Sequence, residues 1–182
     1  MCVTSFAGAR MEQLDGFDLK ILSELQRDGH LTNNELSERV ALSPSQCSRR
    51  RTRLEAEGII TGYQAQIDRQ RLGLDLMVVI SVTLATHNRD NAKRFANLVS
   101  ALPEVLEAYA LTGEMDYHLR VVTPDLAGLS RFVNEVLLPH DSVQHVKTSI
   151  VLETLKSFEG LPIPTQMKGA AAMRVAAKPS PA

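Results

Sequence analysis

Cysteine is scarce in this chain of 182 residues: only Cys2 and Cys47 are present, far apart and outside any paired motif. That excludes a disulfide framework and a cysteine-based zinc site, and it suits a reducing, cytoplasmic setting. Long apolar runs are missing too. No stretch approaches the roughly 18 apolar residues of a membrane span. The opening MCVTSFAGARMEQ lacks the basic start and apolar centre of an export signal. The five histidines, His30, His87, His118, His140 and His145, have neither the i, i+4 nor the adjacent-carboxylate spacing of a helical metal site, so no metal is expected. No glycine-rich phosphate loop follows a strand, and no serine or cysteine sits in a nucleophile elbow. Neither a cofactor nor a catalytic residue is expected.

An excess of one charge is also lacking, since 20 Lys and Arg stand against 21 Asp and Glu for a net charge of −1. The balance is local, however. Residues 1–71 carry ten basic and ten acidic side chains, residues 72–159 carry seven against eleven, and the rest three against none. Arg49, Arg50, Arg51 and Arg53 fall within five positions, and a patch of this kind on one face matters more to a polyanion than the total. With 44% hydrophobic residues, the length supports one medium domain or two small ones without covalent staples.

Residues 14–62 read as three short helices. Asp15 caps the first, with Asp18 in its opening turn; Leu14, Ile21, Leu22 and Leu25 give the helical period, and Gly29 stands where a C-terminal stop is expected. Thr32-Asn33-Asn34-Glu35 has the capping-box form and opens a second helix with Leu36 and Val40 inward. Ala41-Leu42 makes a tight connection. Ser43-Pro44-Ser45-Gln46 repeats the box and opens a third helix running to Gly58, a good left-handed C-terminal residue. The β-branched IITGYQAQI that follows suits a small wing or linker strand. Three helices with a three-residue turn before the last form a helix-turn-helix pattern.

After a linker at 63–73 the period changes. Leu76, Val78, Ile80, Val82 and Leu84 alternate as one face of a strand, and Ala92, Phe95, Ala96, Val99 and Leu102 follow at helical spacing. VLEAYAL, TGEMD and YHLRVV read as a hairpin; a helix with Leu126, Leu129, Phe132, Val133 and Val136 and a last strand, VQHVKTSIVLETL, complete the order βαββαβ over residues 74–159. The fold class is therefore α+β: an N-terminal, winged helix-turn-helix domain joined to a C-terminal ferredoxin-like domain, whose two helices cover one sheet face. Met77 and Val79 lie on the other face, so a homodimer through the sheets is expected. Residues 1–13 are expected to be loose, with Met11 an alternative start to Met1, and residues 160–182, rich in Pro, Ala and Gly, to be a flexible basic tail.

Several stretches together resemble the leucine-responsive/asparagine-operon (Lrp/AsnC) regulator family: LDGFDLKILSELQRDG, LSERVALSPSQCSRRRTRLEAEGIITGY, LTGEMDYHLRV and TSIVLETLK, in order over residues 14–158. The family usually has an aliphatic residue where Arg51 stands, so this position departs from its pattern. The resemblance implies a one-component transcription factor that binds double-stranded DNA, dimerises through the C-terminal domain, and often forms tetramers or octamers. It also implies an amino acid or related effector held between dimers near the hairpin turn, at Gly113, Asp116 and Tyr117. There the amides beside Gly113 would hold a carboxylate and Asp116 an ammonium, with Thr112, Thr148 and Ser149 as weaker polar support. Taken alone, TGEMDY also reads as an ordinary hairpin, in which Gly113 supplies a positive φ and Asp116 bonds nearby backbone. A nucleoid-type architectural protein with low sequence preference is the alternative function. An enzyme using the βαββαβ unit as a regulatory module fails on length. Either regulator is expected in the cytoplasm, associated with the nucleoid.

Helical phase sorts the arginines. With 100° per residue, Cys47, Leu54 and Gly58 mark the inward side, Arg51 and Arg50 flank it at about 40° and 60°, and Arg49 and Arg53 point away at about 200° and 240°. Arg49 and Arg53 therefore have an unforced path to a major groove, where arginine pairs with guanine. Arg50 and Arg51 either snorkel to phosphates or pair with Asp15 or Asp18. Ser43, Ser45, Gln46, Ser48 and Thr52 complete the candidate DNA surface, with Gln46 read equally as a cap partner and as a base contact. Cys47 is expected to be a core thiol.

Overall fold

The structure is a computed structural model describing residues 14–164. The loose segment expected at 1–13, with the question of its start, and residues 165–182 lie outside the described residues. The described residues divide into two compact units, one formed by residues 14–65 together with 157–164, the other by Gln66–Lys156.

In the first unit, α1 (Gly16–Arg27), α2 (Asn33–Val40) and α3 (Pro44–Ala56) each begin with a reciprocal capping box, at Asp15/Asp18, Thr32/Glu35 and Ser43/Gln46. Each box satisfies amides that the first helical turn leaves without partners. Ile21, Leu36, Cys47 and Leu54 are fully buried where the helices meet, with Leu25, Leu31 and Val40 beside them. Gly29 follows the end of α1, as expected, but without a left-handed conformation. α1 ends at the extended Asp28, whose N–H bonds the Glu24 carbonyl, and Gly29 instead makes room for Tyr63: a Cβ there would stand 3.1 Å from the ring. Gly58, at φ 70°, does take the expected left-handed conformation.

Residues 59–67 form neither a helix nor a paired strand, contrary to the wing expected there. Their first amides are used otherwise, Ile59 and Ile60 N–H both bonding the Leu54 carbonyl at 2.9 and 3.1 Å. The expected tail also differs at its start. Leu161 donates its N–H to Gln26 Oε1 and accepts from Gln26 Nε2, both at 2.8 Å. The segment is therefore tied to α1 at Gln26, and residues 161–164 line an apolar groove with Leu22, Ile59 and Tyr63.

The second unit has the order β1 (Leu76–Leu84), α4 (Arg89–Ser100), β2 (Val105–Ala110), β3 (Tyr117–Thr123), α5 (Leu126–Arg131) and β4 (Val143–Ile150). α5 continues as a π-helical turn over Phe132–Leu137. The strands lie in the order β2-β3-β1-β4, all pairs antiparallel. Val78, Ile80, Val82 and Leu84 alternate onto the helix-covered face and pack with Phe95, Val99, Leu129, Phe132 and Leu137. β4 stops at Ile150, short of the expected Leu155. The Val151 N–H bonds the Met77 carbonyl at 3.0 Å, and β1 begins only one residue earlier, at Leu76, so the strand runs out of partner. Met77, Val79, His118, Arg120 and Ser149 share the opposite, helix-free face, as their register pairs them.

Candidate functional sites

The candidate recognition surface begins with the phase of α3. Cys47 and Leu54 are buried; Ser45, Gln46, Arg49, Thr52, Arg53 and Ala56 are exposed, and Ser48 half-buried. Ser43 and Gln46 are committed to the cap: Ser43 Oγ accepts from Gln46 N–H at 3.3 Å, and Gln46 Oε1 accepts from Ser43 N–H at 3.2 Å. Burial raises the Cys47 thiol pKa, with Arg50 opposing, which leaves a protonated core thiol.

The arginines part company by partner. Arg50 donates to Asp18 Oδ1 at 2.7 Å and reaches Asp15 Oδ2 at 2.8 Å. The hydrogen bond to Asp18 chiefly raises its pKa, against partial burial. Arg53 does not have the open path that phase alone assigns to it. Its guanidinium folds back to the other oxygen of Asp18, at 2.6 Å, with Glu57 at 3.8 Å. Arg51 meets neither Asp15 nor Asp18. It donates to the Leu31 carbonyl at 2.9 Å, to the Tyr63 hydroxyl at 2.9 Å and to Glu55 at 3.2 Å, and lies over the Tyr63 ring at 4.7 Å. Among the described residues, Arg49 alone of the four has no carboxylate partner.

The hairpin gathers a second cluster. Gly113 has φ 130°, as the turn requires. Asp116 closes the turn through its carbonyl, which accepts from Leu111 N–H at 2.8 Å. Its carboxylate splits its duties: Oδ2 accepts from the Leu84 N–H at 2.7 Å, and Oδ1 faces His87 Nδ1 at 3.3 Å. Met115 Sδ accepts from Thr83 Oγ1 at 3.2 Å. Tyr117 turns inward instead and packs on Phe95, ring centres 4.7 Å apart.

Thr112 and Gly113 are exposed at the turn beside Asp116. Thr148 and Ser149 are not brought to it: they pair with Ile80 and Val79, on opposite faces of the sheet, whereas Asp116 meets Val82 and Leu84. At about 3.3 Å per residue along a strand, that separation exceeds hydrogen-bond reach. His87, Thr83 and the Leu84 amide are the neighbours that sequence reasoning missed. Thr83 and Leu84 end β1 and His87 lies in the segment just after it, some thirty residues earlier, and the β1–β3 register brings them in. Among the described residues, no group of three or more His, Cys, Asp or Glu is arranged to hold a metal ion, and no helix is long and apolar enough to cross a membrane.

Comparison with known proteins bears on both clusters. A family profile described as winged helix-turn-helix DNA-binding matches residues 14–61, and one described as Lrp/AsnC ligand binding domain matches residues 77–161. The leucine-responsive regulatory protein of Escherichia coli strain K12 is 37% identical over 155 residues, covering 85% of this chain and 94% of that one. A transcriptional regulator of Neisseria meningitidis, solved with L-Met, superposes with a TM-score of 0.79 at 45% identity, covering 82% of this chain and 96% of that one. An AsnC family transcriptional regulator from Agrobacterium tumefaciens superposes at 0.77 with 34% identity, over 82% and 97%.

Proposed function

Because the chain belongs to the Lrp/AsnC family of transcription regulators, we propose that α3 reads a DNA major groove and that an amino acid at the hairpin turn sets how the protein assembles on its sites. One observation carries the first half: a capped helix whose exposed arc, Ser45, Gln46, Arg49 and Thr52, presents an arginine with no carboxylate partner. A helix of this kind enters the groove with its first turns against base edges, and a dimer then spans half-sites about 34 Å apart or a multiple of that. Ser48 at the edge of the arc and the cap residue Ser43 lie within reach of the backbone.

At the turn, the Asp116 oxygen facing His87 is available to an ammonium group, the other being held by Leu84 N–H. The exposed amides beside Gly113 suit a carboxylate, and Thr112 adds a hydroxyl. The L-Met in the Neisseria structure supports an amino acid as the ligand class. Thr148 and Ser149 enter such a site only from another protomer. The helix-free sheet face, with Met77 and Val79, supports a homodimer, with tetramers or octamers built from it. Cytoplasmic, nucleoid-associated action fits this reading.

Two measurements test it. Binding to genomic operator against random duplex at fixed salt should differ by at least about 10³-fold; near-equal affinities would instead mark an architectural protein. An amino-acid effector should raise the melting temperature according to RT ln(1 + [L]/Kd). No shift across the amino acids would remove the effector reading.

A further inference from the structure

Asp18 is the most deeply buried carboxylate described, at 0% exposure, and the proposed function gives it no task. Each of its oxygens holds a different arginine of the recognition helix: Oδ1 takes Arg50 at 2.7 Å and Oδ2 takes Arg53 at 2.6 Å, while Oδ2 also accepts from Asp15 N–H at 3.1 Å. Asp15 adds a second carboxylate on Arg50. Two carboxylates and two guanidiniums are thus gathered where α1 crosses α3, and their formal charges cancel.

An arginine held this way differs from a free one. Charge-assisted bonds to a buried carboxylate are short and strong, and breaking such a pair leaves a charge uncompensated inside the protein. Arg50 is the more enclosed of the two, 20% exposed against 41% for Arg53. Arg53 holds Asp18 through Nη2, so a guanine or phosphate gripped by both of its Nη nitrogens has to compete with Asp18, which has no solvent to turn to.

We infer that Asp18 is a positioning residue that withholds Arg50 and Arg53 from DNA, so that Arg49 alone supplies the arginine contact of α3. The inference rests on α3 being the DNA-contact helix. Its benefit is specificity: each free cation on phosphate tightens binding to every sequence alike, whereas a cation neutralised inside the fold adds nothing to random DNA.

The salt dependence of binding to random duplex reads this directly, because each phosphate contact adds about 0.9 to the slope of log K against log salt. Arg53→Ala should leave that slope unchanged, and Arg49→Ala should lower it or abolish base preference. Asp18→Asn, which keeps the shape but removes the charge, should release an arginine in each protomer and steepen the slope by about 0.9 per protomer bound, each step being roughly a threefold larger loss of affinity between 50 and 200 mM salt. Its preference for operator over random DNA should narrow, and the double variant Asp18→Asn/Arg53→Ala should restore the slope.

A slope lowered by about 0.9 per protomer in Arg53→Ala alone would overturn the inference, since Arg53 would then already contact phosphate. So would Asp18→Asn melting at a lower temperature with an unchanged slope, the result of a purely structural role. Should Asp18→Asn fail to fold, the Arg53→Ala slope still decides. If Arg49→Ala leaves all DNA binding untouched, the recognition-helix reading has failed, and that outcome is distinct from either of the others.

Discussion

Two residues show how single side chains bear on the first unit. Ala41 turns the chain between α2 and α3 at φ 58°, ψ 47°, a left-handed conformation that costs an ordinary residue about 1–2 kcal/mol. Glycine avoids that penalty, but its greater freedom when unfolded returns about 0.5–1 kcal/mol. Ala41 is exposed, so nothing else is lost. Ala41→Gly should therefore raise the stability of this unit by up to about 1 kcal/mol in urea titrations, and Ala41→Val should lower it. Tyr63 makes a different case. Its hydroxyl donates to Glu55 at 2.8 Å and accepts from Arg51; desolvation by burial, aided by the Glu55 bond, raises its pKa above the ordinary 10.0. A raised acid keeps its proton longer folded than unfolded. Its stabilisation is complete below pH 10 and fades as pH climbs through the folded value. The stability gap between wild type and Tyr63→Phe should accordingly shrink above pH 10, measured with the phenolate absorbance followed in parallel.

At the scale of elements, what was legible in the sequence was what is local. The three caps are each complete within four residues, so Asp15, Thr32 and Ser43 could be placed with no knowledge of the fold. The β-alternation of Val78 to Leu84 likewise depends only on neighbours in sequence. The inward and outward sides of α3 were legible for the same reason, and so was an acidic partner for Arg50. The partner of Arg53 was not. A helical wheel treats side chains as rigid spokes, while an arginine bends back along the helix, here to a carboxylate 35 positions earlier. The hairpin divides in the same way: the Gly113 turn is local, whereas the Leu84 and His87 contacts of Asp116 depend on register. That division separates two variants. Asp116→Asn retains an acceptor for Leu84 N–H but carries no charge, so it should melt within about a degree or two of wild type while losing any amino-acid-induced shift. Asp116→Ala also orphans the Leu84 amide, at a cost of about 1–3 kcal/mol, and should lower the melting temperature before any ligand is added. Equal thermal shifts in wild type and Asp116→Asn would remove the ammonium from this carboxylate.

For the molecule as a whole, the chain leaves the helical unit near residue 65, builds the sheet unit, and returns to the first unit at residue 157. The return matters energetically because α1 has an apolar flank, Leu22 with Ile59 and Tyr63 nearby, that the three-helix core does not cover and that the returning segment lines. Gln26 clasps that segment by its own amide, donating to and accepting from the Leu161 backbone. Gly160, at φ 117°, lets the chain pass over the Gln26 side chain, where a Cβ would collide. Gly160→Val should therefore lift the segment from α1, and Gln26→Ala should loosen it, each bond being worth about 0.5–1.5 kcal/mol. A chain of two units need not unfold in one step, so amide hydrogen exchange is the fitting measurement. Exchange should quicken in α1 and leave β1 as slow as in wild type, because protection reports the local opening of each cooperative unit. Unchanged α1 exchange in Gly160→Val would mean that the three helices hold without the returning segment, and equal quickening in β1 would mean that the two units open together.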